Sequence, residues 1–146
     1  MNRKEFLQTC GCAALGAFAL GSLTTGCANT TYVAKYSRLG KVVVIPLSEF
    51  VDVTSTQDQQ RPFVIINVQE QKYPIAVYAH PDQTYSALLL RCTHRNCELQ
   101  PQNEFLQCPC HGSEFTSRGV VQNPPALVNL ESFPVTKQNN NVEVHV

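Results

Sequence analysis

Charge is scarce in this chain and neither sign prevails. Lys plus Arg number 11, Asp plus Glu number 11, and the charged residues make up 15% of the 146. With no basic run, the electrostatic footprint that holds a phosphate backbone is missing, which excludes nucleic-acid binding as a class. No long stretch repeats apolar residues at helical spacing, which leaves strands to build the core. The acidic residues are scattered. No close pair suits general acid-base work, and no Ser-His-Asp arrangement stands out. After removal of any leader, the length leaves room for one domain with a modest core.

Cysteine, by contrast, is plentiful, at seven residues. Two short segments hold the informative ones: Cys92-Thr93-His94 with Cys97 just after it, and Cys108-Pro109-Cys110-His111-Gly112-Ser113. Each offers one thiolate and one imidazole with an extra cysteine alongside, which is what a 2Fe-2S cluster with two histidines on one iron requires. Cys92 and His94 leave the same face of extended backbone, so both can reach one small cluster. Cys108 and His111 flank Pro109, and a tight turn brings thiolate and ring together there. Thiolates carry charge and neutral imidazoles do not, so a mixed ligand set makes a cluster less negative and easier to reduce. Potentials of roughly −150 to +300 mV, against about −400 mV for plant-type all-cysteine clusters, follow that logic. Imidazole ligands also keep a second nitrogen, which couples electron to proton uptake where the rings face water, so the potential falls with rising pH. Cys97 and Cys110 are left over, one per loop. In an oxidising compartment the economical reading is a disulfide that ties the loops, worth ~3 kcal/mol on the chain-entropy account. A Cys2His2 zinc site uses the same ligand types without redox chemistry. Structural zinc sites, however, usually repeat Cys-Cys and His-His pairs, and iron content with a rhombic EPR signal separates the two.

The segments 92–97 and 108–113 resemble the two cluster-binding boxes of Rieske iron-sulfur proteins, and most of all the disulfide-containing branch found in cytochrome bc complexes and arsenite oxidases. By position, the resemblance makes Cys92 and Cys108 ligands of one iron, His94 and His111 ligands of the other, and Cys97 and Cys110 the bridging pair. Ser113 falls where this branch places a serine whose hydroxyl bonds to a bridging sulfide. Phe115 falls where high-potential members carry a tyrosine that bonds to a cysteine ligand, so the resemblance implies a potential below that of quinol-oxidising relatives. Arg95-Asn96 stands in place of the Leu-Gly of the quinol-oxidising group, which implies a more polar or acidic partner surface. Asn123-Pro124-Pro125-Ala126 resembles the proline-rich loop that shields the cluster, with Pro124 and Pro125 pinning the backbone without needing a donor.

The N-terminus reads as an export signal. Arg3 and Lys4 precede an uncharged stretch over 9–26, and Arg3-Lys4-x-Phe6-Leu7 resembles a twin-arginine signal with lysine in the second position. Leu23-Thr24-Thr25-Gly26-Cys27 looks like a bacterial lipoprotein signal, in which cleavage before Cys27 lets that thiol take lipid and anchor the protein. An uncleaved membrane helix and a free periplasmic protein are the competing readings. Lipidation also accounts for the odd cysteine, because Cys10 and Cys12 then leave with the leader. The expected organisation is an export signal over 1–26, an anchor cysteine and tether over 27–40, and a cluster domain over 41–146.

Within the domain, apolar and β-branched runs at 41–45, 63–68, 74–79 and 86–90 predict strands. His80-Pro81-Asp82-Gln83 reads as a hairpin turn, and short strands are expected at 104–107 and 114–116 on either side of the second box. A last hairpin, 127–136 with 142–146, turns at Asn139-Asn140-Asn141. An all-β, antiparallel sandwich of Rieske type with both cluster loops at one end follows. His80 and His145 read as surface residues. The function expected is one-electron transfer on the outer face of a bacterial cytoplasmic membrane, with a cytochrome or an oxidoreductase subunit as redox partner. The alternatives are a subunit of a quinol-oxidising or arsenite-oxidase-like complex, and a ferredoxin of a ring-hydroxylating dioxygenase. Ferredoxins of that kind normally lack the bridging cysteines and any leader.

Overall fold

Residues 31–54 and 59–146 are described by the structure, a computed structural model. The expected export signal, Cys10, Cys12 and Cys27 lie outside the described residues. In chain order the strands are β1 (Ser37–Leu39), β2 (Val42–Pro46), β3 (Val51–Asp52), β4 (Gln59–Gln60), β5 (Phe63–Ile66), β6 (Ile75–Ala79) and β7 (Tyr85–Leu89). They continue with β8 (Gln100–Pro101), β9 (Phe105–Gln107), β10 (Glu114–Thr116), β11 (Val121–Asn123), β12 (Ser132–Phe133), β13 (Val135–Gln138) and β14 (Asn141–His145). A 3-10 helix at Leu47–Phe50 links β2 to β3.

Pairing between these strands is antiparallel throughout. Three sheets carry the fold: a base sheet in the order β1-β2-β14-β13, a middle sheet β12-β7-β6-β5, and a cluster sheet β11-β10-β9-β8. Successive side chains of a strand point to opposite faces, and in the middle sheet both faces are buried. Val64, Ile66, Ile75, Val77, Ala87 and Leu89 join Val43, Ile45, Val142 and Val144 of the base sheet in one core. Their alternates, Ile65, Ala76, Tyr78, Leu88 and Leu90, join Leu106, Phe115, Cys92 and Cys108 in a second. This explains why the sequence runs there are continuously apolar rather than alternating.

Three sequence expectations are corrected. The tether does not extend to residue 40. Val33 bridges Ile65, Ala34 is buried in the base core, Tyr32 donates its hydroxyl to Glu49 at 3.0 Å, and β1 pairs with β2. A polar composition concealed the few residues that make these contacts. The strand expected over 127–136 is broken: 127–131 is loop, β12 pairs with β7 and β13 pairs with β14. Pro134, which has no amide hydrogen to give a ladder, stands where the chain passes from the middle sheet to the base sheet. His80 is half-buried rather than a free surface residue, and its Nε2 lies 2.8 Å from Ser86 Oγ.

The 80–83 turn is present, with the Gln83 amide donating to His80 O at 2.9 Å. Gly119 turns β10 into β11 at φ +81, and a Cβ there would come within 2.8 Å of Leu88 Cδ2. Only glycine meets both the left-handed backbone and the close approach.

Candidate metal centre

β7 ends at Leu89 and Leu90 feeds the first loop, while β9 and β10 are the two arms of the second. The loops share one backbone frame. The Cys92 amide donates to Cys97 O at 2.8 Å and the Asn96 amide to Cys92 O at 2.8 Å; the Cys108 amide donates to Ser113 O at 2.8 Å and the Gly112 amide to Cys108 O at 3.0 Å. In each loop the residue fourth after the leading cysteine is left-handed, Asn96 at φ 57 and Gly112 at φ 77. Asparagine tolerates that backbone where most side chains do not, which accounts for Asn96 in place of a glycine. The Tyr73 hydroxyl holds the first frame from outside by donating to Asn96 O at 2.7 Å.

Cys92 and Cys108 are each 1% exposed. Burial pushes the Cys108 thiol up from its ordinary value, and the neighbouring Cys92 thiol adds to the rise, against the pull of the Cys110 and His111 amides. A thiol held neutral by burial ionises where a cation compensates it, and iron is such a cation. His94 and His111 are exposed, with ring centroids 5.0 Å apart at an interplanar angle of 84°. A buried sulfur pair and an exposed imidazole pair on the same two loops fit the donor set of a cluster bound asymmetrically.

Cys97 and Cys110 form a disulfide with a Cα–Cα distance of 6.5 Å. The Sγ atoms of Cys97, Cys108 and Cys110 lie within 4.8 Å of one another. Two of those sulfurs are spent in the disulfide and offer no thiolate, so this proximity places the bridge against Cys108 and does not define a ligand trio.

Ser113 is buried, and its Oγ accepts the Ala126 amide at 3.0 Å. Phe115 is buried beside Cys92 and Cys108 in the second core. Thr93 Oγ1 donates to Val128 O at 2.6 Å. The segment that includes Pro124 and Pro125, joined by a cis peptide bond, is thus fastened to the second loop at Ala126 and to the first at Val128. Sequence reasoning missed these fasteners and Tyr73. Thr93 lay within the motif, but its partner is 35 residues away and nothing local signals it. An open surface pocket of ≈ 460 Å³ lies elsewhere, between Leu47, Phe50, His80, Tyr85 and Lys137, and no cluster-loop residue lines it.

These features define a β-sheet iron-sulfur domain built for electron transfer. The family profile of the Rieske [2Fe-2S] domain matches residues 48–134, and the chain belongs to that family, with a 2Fe-2S cluster as its cofactor. It is 42% identical over 76 residues to the oxygenase component of dicamba O-demethylase from Stenotrophomonas maltophilia, a match covering 45% of this chain and 22% of that protein. It is 41% identical over 56 residues to the cytochrome b6-f complex iron-sulfur subunit of Synechococcus sp. (strain CC9605), covering 36% of this chain and 31% of that subunit. Less than a third of either relative is therefore spanned. Among solved structures, the cyanobacterial plasma membrane Rieske protein PetC3 from Synechocystis PCC 6803 aligns with a TM-score of 0.52 and 28% identity, covering 58% of this chain and 87% of that one. Among the described residues, no helix is long and apolar enough to cross a membrane.

Proposed function

We propose that the protein is a one-electron carrier whose cluster is held by Cys92 and Cys108 on one iron and by His94 and His111 on the other. The observation that carries this reading is the shared frame of the two loops, each of which holds one buried thiol and one exposed ring, with the two rings 5.0 Å apart. When bound, the cluster supplies a reversible one-electron couple. The chain's own residues keep water from the sulfurs, hold the rings at the surface and bridge the loops through Cys97 and Cys110. Ser113 and Phe115 sit where they adjust the potential, and Pro124 and Pro125 cover the third side. The ≈ 460 Å³ pocket is lined by no cluster-loop residue, and turnover belongs to a redox partner, a cytochrome or an oxidoreductase subunit.

The carrier works on the outer face of a bacterial cytoplasmic membrane, exported by its leader and anchored through a lipid on Cys27. Similarity to a plasma membrane Rieske protein supports that placement. A second reading, a subunit of a quinol-oxidising or arsenite-oxidase-like complex, draws on the similarity to the cytochrome b6-f subunit. The disulfide favours both over a ring-hydroxylating ferredoxin.

Anaerobically purified protein is expected to contain equal iron and inorganic sulfide and to give a rhombic EPR signal when reduced. Full retention of iron after His94→Ala with His111→Ala would overturn the assignment. An intact mass starting at acylated Cys27 tests the anchor, and co-purification with cytochrome or molybdenum polypeptides separates the complex subunit from the free carrier.

A further inference from the structure

Three loops form the tip around the imidazoles, 92–97, 108–113 and 123–130, and apart from the histidines their one formal charge is Arg95. Arg38, Arg61, Arg91 and Arg118 each meet a carboxylate at 2.5 to 3.1 Å. Among the described residues Arg95 meets none. Glu98, the nearest acidic residue in sequence, makes a backbone β-bridge with Arg91 at the root of the loop and no ion pair with Arg95, which stands next to His94 in sequence. Lys72, over the Tyr73 ring at 5.6 Å, adds a second cation next to the tyrosine that holds this loop.

The same tip carries the most exposed large apolar side chain among the described residues, Leu127 at 89%, with Val128 at 66%. They are not on a loose loop. Ala126 on one side is bonded to Ser113, and Val128 itself to Thr93. Leu127 therefore stands between the two cluster loops, held out to solvent by a backbone fastened on both sides. A fixed apolar projection with an unpaired cation beside it is what a docking face needs: apolar contact for affinity and charge for orientation.

We propose that this tip docks a redox protein whose surface pairs an apolar hollow for Leu127 and Val128 with a carboxylate for Arg95. This rests on the carrier reading, since it names that carrier's partner. Two copies meeting tip to tip do not complement each other, because none of the three loops carries a carboxylate. An apolar quinol pocket would strip water from the Arg95 guanidinium without compensating it. A lone unpaired arginine is also a small footprint for an anionic membrane, which is recognised by clusters of cations.

The test uses full-length holoprotein in detergent and, as probe, a soluble c-type cytochrome of net negative charge, alongside the same cytochrome with its carboxylates amidated. Binding at low ionic strength is expected to weaken about tenfold on Arg95→Glu, and less on Arg95→Gln, because a rim charge governs salt-dependent encounter. Amidation should remove that sensitivity. Leu127→Asn should weaken binding to both probes, and Lys41→Glu, in the turn between β1 and β2, should alter neither. Equal Kd values for wild type, Arg95→Glu and Leu127→Asn, in protein that holds its iron and sulfide, would overturn the docking face and leave the carrier standing. Arg95-dependent sedimentation with anionic vesicles, or self-association abolished by Leu127→Asn, would overturn it in favour of those occupants. Wild-type protein without iron and sulfide would remove the carrier reading and this one together.

Discussion

Ala126 donates its amide hydrogen to the Ser113 hydroxyl oxygen at 3.0 Å, with both residues buried. An oxygen already accepting in this way keeps its own proton for another partner, which the family resemblance identifies as a cluster sulfide. Ser113→Ala is therefore expected to do two things. It lowers the reduction potential by about 50 to 100 mV, the differential part of a charged hydrogen bond worth about 1.5 to 3 kcal/mol. It also leaves the Ala126 amide without an acceptor, at a cost of about 1 to 3 kcal/mol. A potentiometric EPR titration beside a denaturant series separates the effects, and stability lost at unchanged potential would confine Ser113 to holding the proline loop.

Phe115 is buried in the same core as Cys92 and Cys108, at the position where the family resemblance puts a hydroxyl bonded to a cysteine ligand. Phe115→Tyr should raise the potential by on the order of 50 to 100 mV. No rise in the same titration would refute this account of the tuning.

Asn96 adopts φ 57 and takes the Tyr73 hydroxyl on its carbonyl. Asn96→Gly should leave stability nearly unchanged, while Asn96→Val should cost about 1 to 2 kcal/mol through left-handed strain. Tyr73→Phe should cost about 1 kcal/mol by losing the hydrogen bond. Unfolding midpoints of holoprotein, followed at the visible absorption of the cluster, give the comparison.

The Cys97–Cys110 bridge closes a separation of 13 residues. Replacing both cysteines by serine is expected to lower stability by about 3 kcal/mol on the chain-entropy account. Cluster loss on warming should be faster than in wild type, and reductant should accelerate loss in the wild type alone. Equal rates would show that the loops hold without the bridge.

Burial, assisted by Arg118, holds the His80 imidazole below its ordinary value, and Asp82 opposes this only in part. The unfolded chain therefore binds a proton more readily than the folded one, and the stability at stake is lost as pH falls through about 6.5. Relative to His80→Gln, wild type should lose ground between pH 8 and 5.5. Urea midpoints of the two proteins provide the test, and a difference that stays constant with pH would rule His80 out.

Long apolar runs made β5, β6 and β7 legible, because strands buried on both faces need apolar residues at every position. The paired Cys and His spacings made the loops legible. The two-residue strands were not: β3, β4 and β8 are too short for their composition to signal them, and β12 exists through its partner β7, far away in sequence. Leu127 and Val128 read as the start of a strand because apolar neighbours usually are one. The Thr93 hydroxyl, far away in sequence, takes the carbonyl at Val128 instead.

The middle sheet shares its strands between two interiors, Val77 filling one and Tyr78 the other. Neither interior can come apart while its neighbour stays intact, so heat or urea should take the whole domain in a single step. The brown colour of the iron would then vanish at the same midpoint as the far-ultraviolet signal of the backbone, and bleaching becomes a gauge of the entire fold.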